Sequence, residues 1–182
     1  MIQGKRIRLR AIERSDLPRY LEWLNDPEVT EGLWHYLPLS MDDEAAWFEK
    51  MRQQDAEQRP LAIEIRENQA WRLVGNVGLL DLRWANRSAE LGIFIGDKSV
   101  WDKGYGTEAV ELMLQHAFDT LNLHRVFLRV FATNKRAQRS YEKAGFVSEG
   151  TLRQAVFRHG LYVDMHIMGI LRPEWRAARE GQ

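Results

Sequence analysis

Cysteine is absent from the 182 residues, which excludes disulfides, thiolate nucleophiles and cysteine-ligated metals. Charge of one sign is not in excess: Lys+Arg and Asp+Glu both number 26, for a formal net charge of zero. A general nucleic-acid binder would draw its affinity from surplus positive charge, so nucleic acid is not an expected partner. No apolar run approaches the ~18 residues of a membrane span, and Met1-Ile2-Gln3-Gly4-Lys5-Arg6 lacks the apolar core of a signal peptide. The expectation is a soluble, cytoplasmic chain with no membrane partner. His35, His116, His124, His159 and His166 show no ligand spacing with one another or with paired carboxylates, so no metal site is expected. No repeat, low-complexity tract or linker divides the chain. Its length suits one domain with a sizeable core.

Period decides the elements. Ile7, Leu9 and Ala11 alternate with Arg6, Arg8 and Arg10 as in a half-buried strand. Ser15-Asp16 cap a helix with the apolar face Leu17, Tyr20, Leu21 and Leu24, stopped by Asn25-Asp26-Pro27. Residues 30–39 read as an ordered, aromatic-rich loop, and Ser40 with Asp42, Asp43 and Glu44 starts a second helix to about Gln54. Strands are expected at Leu61–Arg66, Leu73–Leu82 and Ala89–Ile95, with turns at Asn68 and at Trp84–Ser88. After Gly106 a helix buries Val110, Met113, Leu114, Ala117, Phe118 and Leu121 at period 3.6. A strand from His124 to Phe131, a short helix from Asn134 closed by Gly145, and strands at Phe146–Val156 and Leu161–Leu171 complete a mixed α/β sheet. Arg172, Arg176 and Arg179 read as a solvated tail.

The chemistry concentrates in Trp101-Asp102-Lys103-Gly104-Tyr105-Gly106-Thr107-Glu108-Ala109. A glycine turn that opens a helix offers unpaired N–H groups and the positive end of the helix dipole to an anion. Gly104-x-Gly106-x-x-Ala109 also satisfies the dinucleotide fingerprint G-x-G-x-x-G/A. That reading fails twice: polar residues separate the glycines from the strand ending near Ile95, and the next strand ends in Ala132-Thr133-Asn134 rather than in a ribose-binding acid. A tight helix entry that binds nothing remains open on the glycines alone.

With Asn134-Lys135-Arg136-Ala137, Ser140-Tyr141-Glu142-Lys143-Ala144-Gly145-Phe146 and Ala89-Glu90-Leu91-Gly92 added, the stretch from Ala89 to Gly169 resembles the GCN5-related N-acetyltransferases (the GNAT superfamily). It is most similar to the bacterial branch of ribosomal-protein N-terminal and spermidine acetyltransferases. The resemblance implies one GNAT domain over residues 1–182, of α/β (α+β) class. A mixed, mostly antiparallel central sheet of about seven strands would be flanked by about four helices. It implies acetyl-CoA as co-substrate, with the pyrophosphate on Trp101, Asp102, Lys103, Gly104, Tyr105, Gly106 and Thr107, and the pantetheine arm along Phe94, Ile95 and Gly96. Where the superfamily often carries Gln or Arg three residues before the first glycine, this chain has Trp101, so a side-chain anchor on the pyrophosphate is missing.

Acetyl transfer to an amine needs a base for the amine proton, donors for the oxyanion and an acid for the leaving thiolate. Tyr141 resembles the family's general acid; a phenol of pKa about 10 is protonated at neutral pH. Glu90 is the candidate base, direct or through water, though a paired or solvated carboxylate would look the same in sequence. Asn134 suits both an N-cap and a bond to the cofactor arm. Arg136, with Lys135 and Arg139, reaches either the CoA phosphates or only solvent. Glu31, Trp34 and Tyr36 would suit an amine by charge and cation–π contact, or serve as packing aromatics. The acceptor stays open among a protein N-terminus, a polyamine and a small amine. A non-catalytic acyl-CoA-binding or sensor module is the alternative class, and a homodimer or higher homo-oligomer is compatible with the exposed aromatics.

Overall fold

The computed structural model describes residues 1–180. Its strands are β1 (Ile2–Gln3), β2 (Ile7–Ala11), β3 (Leu61–Glu67), β4 (Ala70–Arg83), β5 (Ser88–Ile95), β6 (Arg125–Phe131), β7 (Val147–Arg158) and β8 (Leu161–Leu171). The α-helices are α1 (Leu17–Leu24), α2 (Pro27–Thr30), α3 (Met41–Arg52), α4 (Tyr105–Gln115), α5 (Lys135–Lys143) and α6 (Arg172–Glu180). The 8-stranded sheet has the order β1-β2-β3-β4-β5-β6-β8-β7. β5 and β6 run parallel, whereas β1–β2, β2–β3, β3–β4, β6–β8 and β7–β8 are antiparallel.

The mixed sheet matches the expectation in kind, with short or terminal elements added in number. β1 has 2 residues and α2 has 4. The helix α6 corrects the reading of the C-terminal arginines as a solvated tail. Its Trp175 packs on Phe118 with ring centroids 5.3 Å apart, and the Glu174 carboxylate accepts from the Leu171 N–H at 2.8 Å. A single aromatic among arginines carries little periodic signal, and burial of that one ring holds the helix. No helix among the described residues is long and apolar enough to cross a membrane.

Contacts divide the chain into two compact units: Met1–Leu79 with Gly92–Ala109, and Leu80–Leu91 with the chain from Val110 onward. In the first, β2 buries Ile7 and Leu9 and turns Arg8 and Arg10 towards Glu64, at 2.5 and 2.9 Å. The helix α1 buries Leu17, Tyr20 and Trp23, so Trp23 occupies the inward position expected of Leu21. A larger ring one turn from Tyr20 covers more of the core. Tyr20 stands edge-on to Trp23, Trp47 and Phe94, at 5.9, 6.4 and 5.9 Å. The helix α3 begins at a capping box in which Ser40 and Asp43 satisfy each other's backbone N–H.

In the second unit, Val110, Met113, Leu114, Ala117 and Phe118 are buried as the period predicts. After Gln115 the helix widens to an i→i+5 turn, the Leu121 N–H donating to the His116 carbonyl at 3.0 Å. The strand β8 pairs with β6 along seven consecutive residues from Met165 to Leu171. A turn with positive φ at His159 and Gly160 returns β7 into β8.

Candidate active site

The loop between β5 and α4 lies in the first unit. Asp102 and Gly104 hold positive φ, 59° and 82°, a conformation open to glycine and costly for most other residues. From Gly104 the chain enters α4 directly, with the Glu108 N–H donating to the Gly104 carbonyl at 3.1 Å. Backbone N–H groups of the first turn have no intrahelical acceptor, and the dipole adds positive potential there. The turn therefore has the make-up of an anion cradle. Trp101 is half-buried against the first unit's core cluster, and its indole Nε1–H donates to the Ile95 carbonyl at 2.8 Å. Where an anchoring Gln or Arg is missing, Trp101 ties the loop to the end of β5.

The end of β5 is bulged. The N–H groups of Gly96 and Asp97 both donate to the Val74 carbonyl, at 2.9 and 3.2 Å. A Cβ on Gly96 would fall inside the Trp23 ring, so the indole itself requires glycine. Among Phe94, Ile95 and Gly96, the Gly96 N–H and the Ile95 carbonyl are thus engaged within the protein. The ladder of β5 with β6 covers only Ser88–Glu90 with Arg125–Phe127, although β5 runs on to Ile95.

Glu90, Asn134, Arg136 and Tyr141 belong to the second unit. Both Glu90 oxygens accept from Arg129, Nε at 2.8 Å and Nη2 at 3.0 Å, and the Glu90 side chain is 14% exposed. Tyr141 is buried, its ring 6.0 Å from that of Phe146, and burial pushes its phenol up to about 12. Asn134 caps α5, Oδ1 accepting from the Ala137 N–H at 3.1 Å. Arg136 is exposed in the first turn of α5.

Glu31, Trp34 and Tyr36 are exposed on the segment between α2 and α3 in the first unit. Two bonds pin the end of that segment: Asn25 Nδ2–H donates to the Leu39 carbonyl at 2.9 Å, and the Leu39 N–H donates to Asn25 Oδ1 at 2.8 Å. Several nearby carboxylates are occupied. Asp26 and Glu28 hold Lys98 at 2.7 and 2.9 Å, and Asp43 serves its capping box. Glu44 is buried, and its Oε2 has no hydrogen-bond partner. Desolvation, and then the charge of Asp43, hold its carboxyl above the usual range. No group of three or more His, Asp or Glu suited to a metal ion occurs among the described residues.

Comparison with known proteins places this fold in a family. The model of the acetyltransferase (GNAT) domain matches residues 6–147, and the chain belongs to that family. It is 33% identical over 173 residues to a spermidine N(1)-acetyltransferase of Vibrio cholerae, spanning 94% of this chain and 96% of that one. A spermidine N(1)-acetyltransferase of Escherichia coli is 29% identical over 171 residues, at 94% and 89% coverage. A crystal structure of the Vibrio cholerae spermidine N-acetyltransferase in complex with CoA and spermine superposes with a TM-score of 0.84 at 31% identity, covering 95% and 99% of the two chains. The protein is an acetyl-CoA-dependent N-acetyltransferase with the GNAT fold.

Two residues of this region carry no mark of their partners in sequence. Arg129 alternates unremarkably along β6 and meets Glu90 39 positions away. Arg6 continues the alternation Arg6, Arg8, Arg10 on the solvent side, yet it contacts the turn at Lys103 and Glu108. Neither partnership leaves a local signal.

Proposed function

We propose that the protein transfers the acetyl group of acetyl-CoA to a primary amine of the polyamine type by direct attack. The observation that carries the cofactor half is the glycine turn opening α4 beside a β5 whose ladder to β6 stops at Glu90. The pyrophosphate is bound by the N–H groups of residues 103–107, and the pantetheine arm takes up backbone groups of β5 beyond Glu90. In this reading Asn134 supplies its side-chain amide to the arm and Arg136 supplies a positive charge for the phosphates. The amine nitrogen attacks the thioester carbon, the C–S bond breaks, and the thiolate takes the Tyr141 proton. Glu90 orders a water that receives the amine proton. Each of its oxygens keeps a lone pair beyond those given to Arg129, and the two-point bond to the guanidinium fixes the carboxylate in place to order that water.

The polyamine reading draws support from the spermidine acetyltransferases matched along nearly the whole chain. A second reading, a peptide N-terminus, has its own observation. Trp34, Tyr36 and Leu37 are 50%, 59% and 74% exposed, a strip long enough for a peptide's apolar side chains to lie against. A thiol-release assay with acetyl-CoA against spermidine, spermine, ribosomal-protein N-terminal peptides and amino sugars tests both. Turnover of polyamines alone is expected; turnover of peptides alone transfers the assignment to the second reading. Tight CoA binding without turnover on any acceptor would point to the sensor alternative.

A further inference from the structure

The Arg6 guanidinium grips the turn from outside. Its Nη1 donates to the Lys103 carbonyl at 3.0 Å, its Nε to Glu108 Oε2 at 2.8 Å, and its backbone N–H to Glu108 Oε1 at 2.8 Å. The guanidinium lies over the Tyr105 ring at 4.7 Å, and a Cβ on Gly104 would come within 3.3 Å of Nη2. One residue from the start of β2 thus touches Lys103, Tyr105 and Glu108 and borders Gly104.

We infer that Arg6 is a positioning residue for acetyl-CoA, acting through the pyrophosphate turn. This rests on the assignment of that turn to the cofactor, and two consequences of the geometry carry it. In a trans peptide unit the C=O and N–H point in opposite directions. Holding the Lys103 carbonyl on the Arg6 side therefore aims the Gly104 N–H away from Arg6, as a donor of the cradle. Glu108 lies in the first turn of α4, where the dipole attracts any negative group. A loose carboxylate there would compete with a phosphate for the same potential and repel it. Arg6 neutralises Glu108 and binds both its oxygens, with the Glu108 side chain 13% exposed. The Arg6 side chain is 50% exposed, so solvent screens its side of the pair, and calorimetric and kinetic comparison separates an effect on cofactor binding from one on stability.

The test compares acetyl-CoA with S-acetylpantetheine, which lacks the pyrophosphate. Arg6→Ala is expected to raise the calorimetric Kd for CoA and the KM for acetyl-CoA about tenfold, the scale of one charge-assisted hydrogen bond. The kcat at saturation and the kcat/KM for S-acetylpantetheine stay as in the unaltered protein. Adding Glu108→Gln to Arg6→Ala restores part of the lost CoA affinity, because the unneutralised carboxylate is gone. Arg6→Lys keeps the charge without the fork and gives an intermediate Kd; it replaces the alanine variant if that one does not fold. An unchanged Kd, or an equal loss on both thioesters, overturns the inference. Failure of the unaltered protein to bind CoA would instead overturn the assignment of the turn.

Discussion

Burial suits Tyr141 to the role of acid proposed for it. With its phenol pushed up to about 12 by desolvation, it carries its proton throughout the range in which amines lose theirs. The pH profile of kcat should therefore rise with deprotonation of the amine and show no fall assignable to Tyr141 below about pH 10, the ordinary phenol value. Tyr141→Phe should lower kcat at least about tenfold, as loss of a general acid does, with calorimetric CoA affinity unchanged. Retention of full kcat would assign the proton to another donor.

The same upward shift on burial costs stability at Glu44. Its carboxyl is held above the usual range, so the native state binds its proton more tightly than the unfolded chain does. Its contribution to stability is complete below the unfolded carboxyl value and declines as pH rises through the native one. Glu44→Gln should therefore raise Tm at pH 8 by about 2–4 °C, the equivalent of ~1 kcal/mol in a chain of this size. The gain should shrink towards pH 4. Parallel Tm curves from pH 4 to 8 would show that desolvation of Glu44 costs nothing.

Among the elements, the end of β5 and the start of α5 are the most exacting. Gly96 serves the bulge and leaves room for the Trp23 ring at once. Gly96→Ala should destabilise by about 1–3 kcal/mol through overpacking, seen as a lower midpoint in urea at unchanged m. A variant as stable as the parent would mean that Trp23 swings aside freely. Asn134→Ala removes the cap on Ala137 and should cost about 1 kcal/mol. A rise in KM for acetyl-CoA beyond that stability loss would add the bond to the cofactor arm; an unaltered KM would leave Asn134 a cap alone.

At the scale of the whole molecule, binding and stability are linked. A ligand that binds only the native state at 100 times its Kd adds about 2.7 kcal/mol, or ~5–10 °C in Tm for this length. CoA at that excess should produce such a shift, and polyamine alone a smaller one. No shift with CoA would contradict the cofactor assignment.

Much of this was legible along the chain because it depends on neighbours. The capping box at Ser40, the helical stripe from Val110 to Phe118, the glycine turn and the capped entry to α5 are all written within a few residues. Their physics, period and terminus chemistry, acts over one or two turns. Trp23 rather than Leu21 facing inward, α6 held by Trp175, Arg129 on Glu90 and Arg6 on the glycine turn were decided only in three dimensions. In each case the partner lies on another element, up to 102 positions away. A side chain's charge or size is visible in sequence, but what it neutralises or covers depends on which elements the fold packs together.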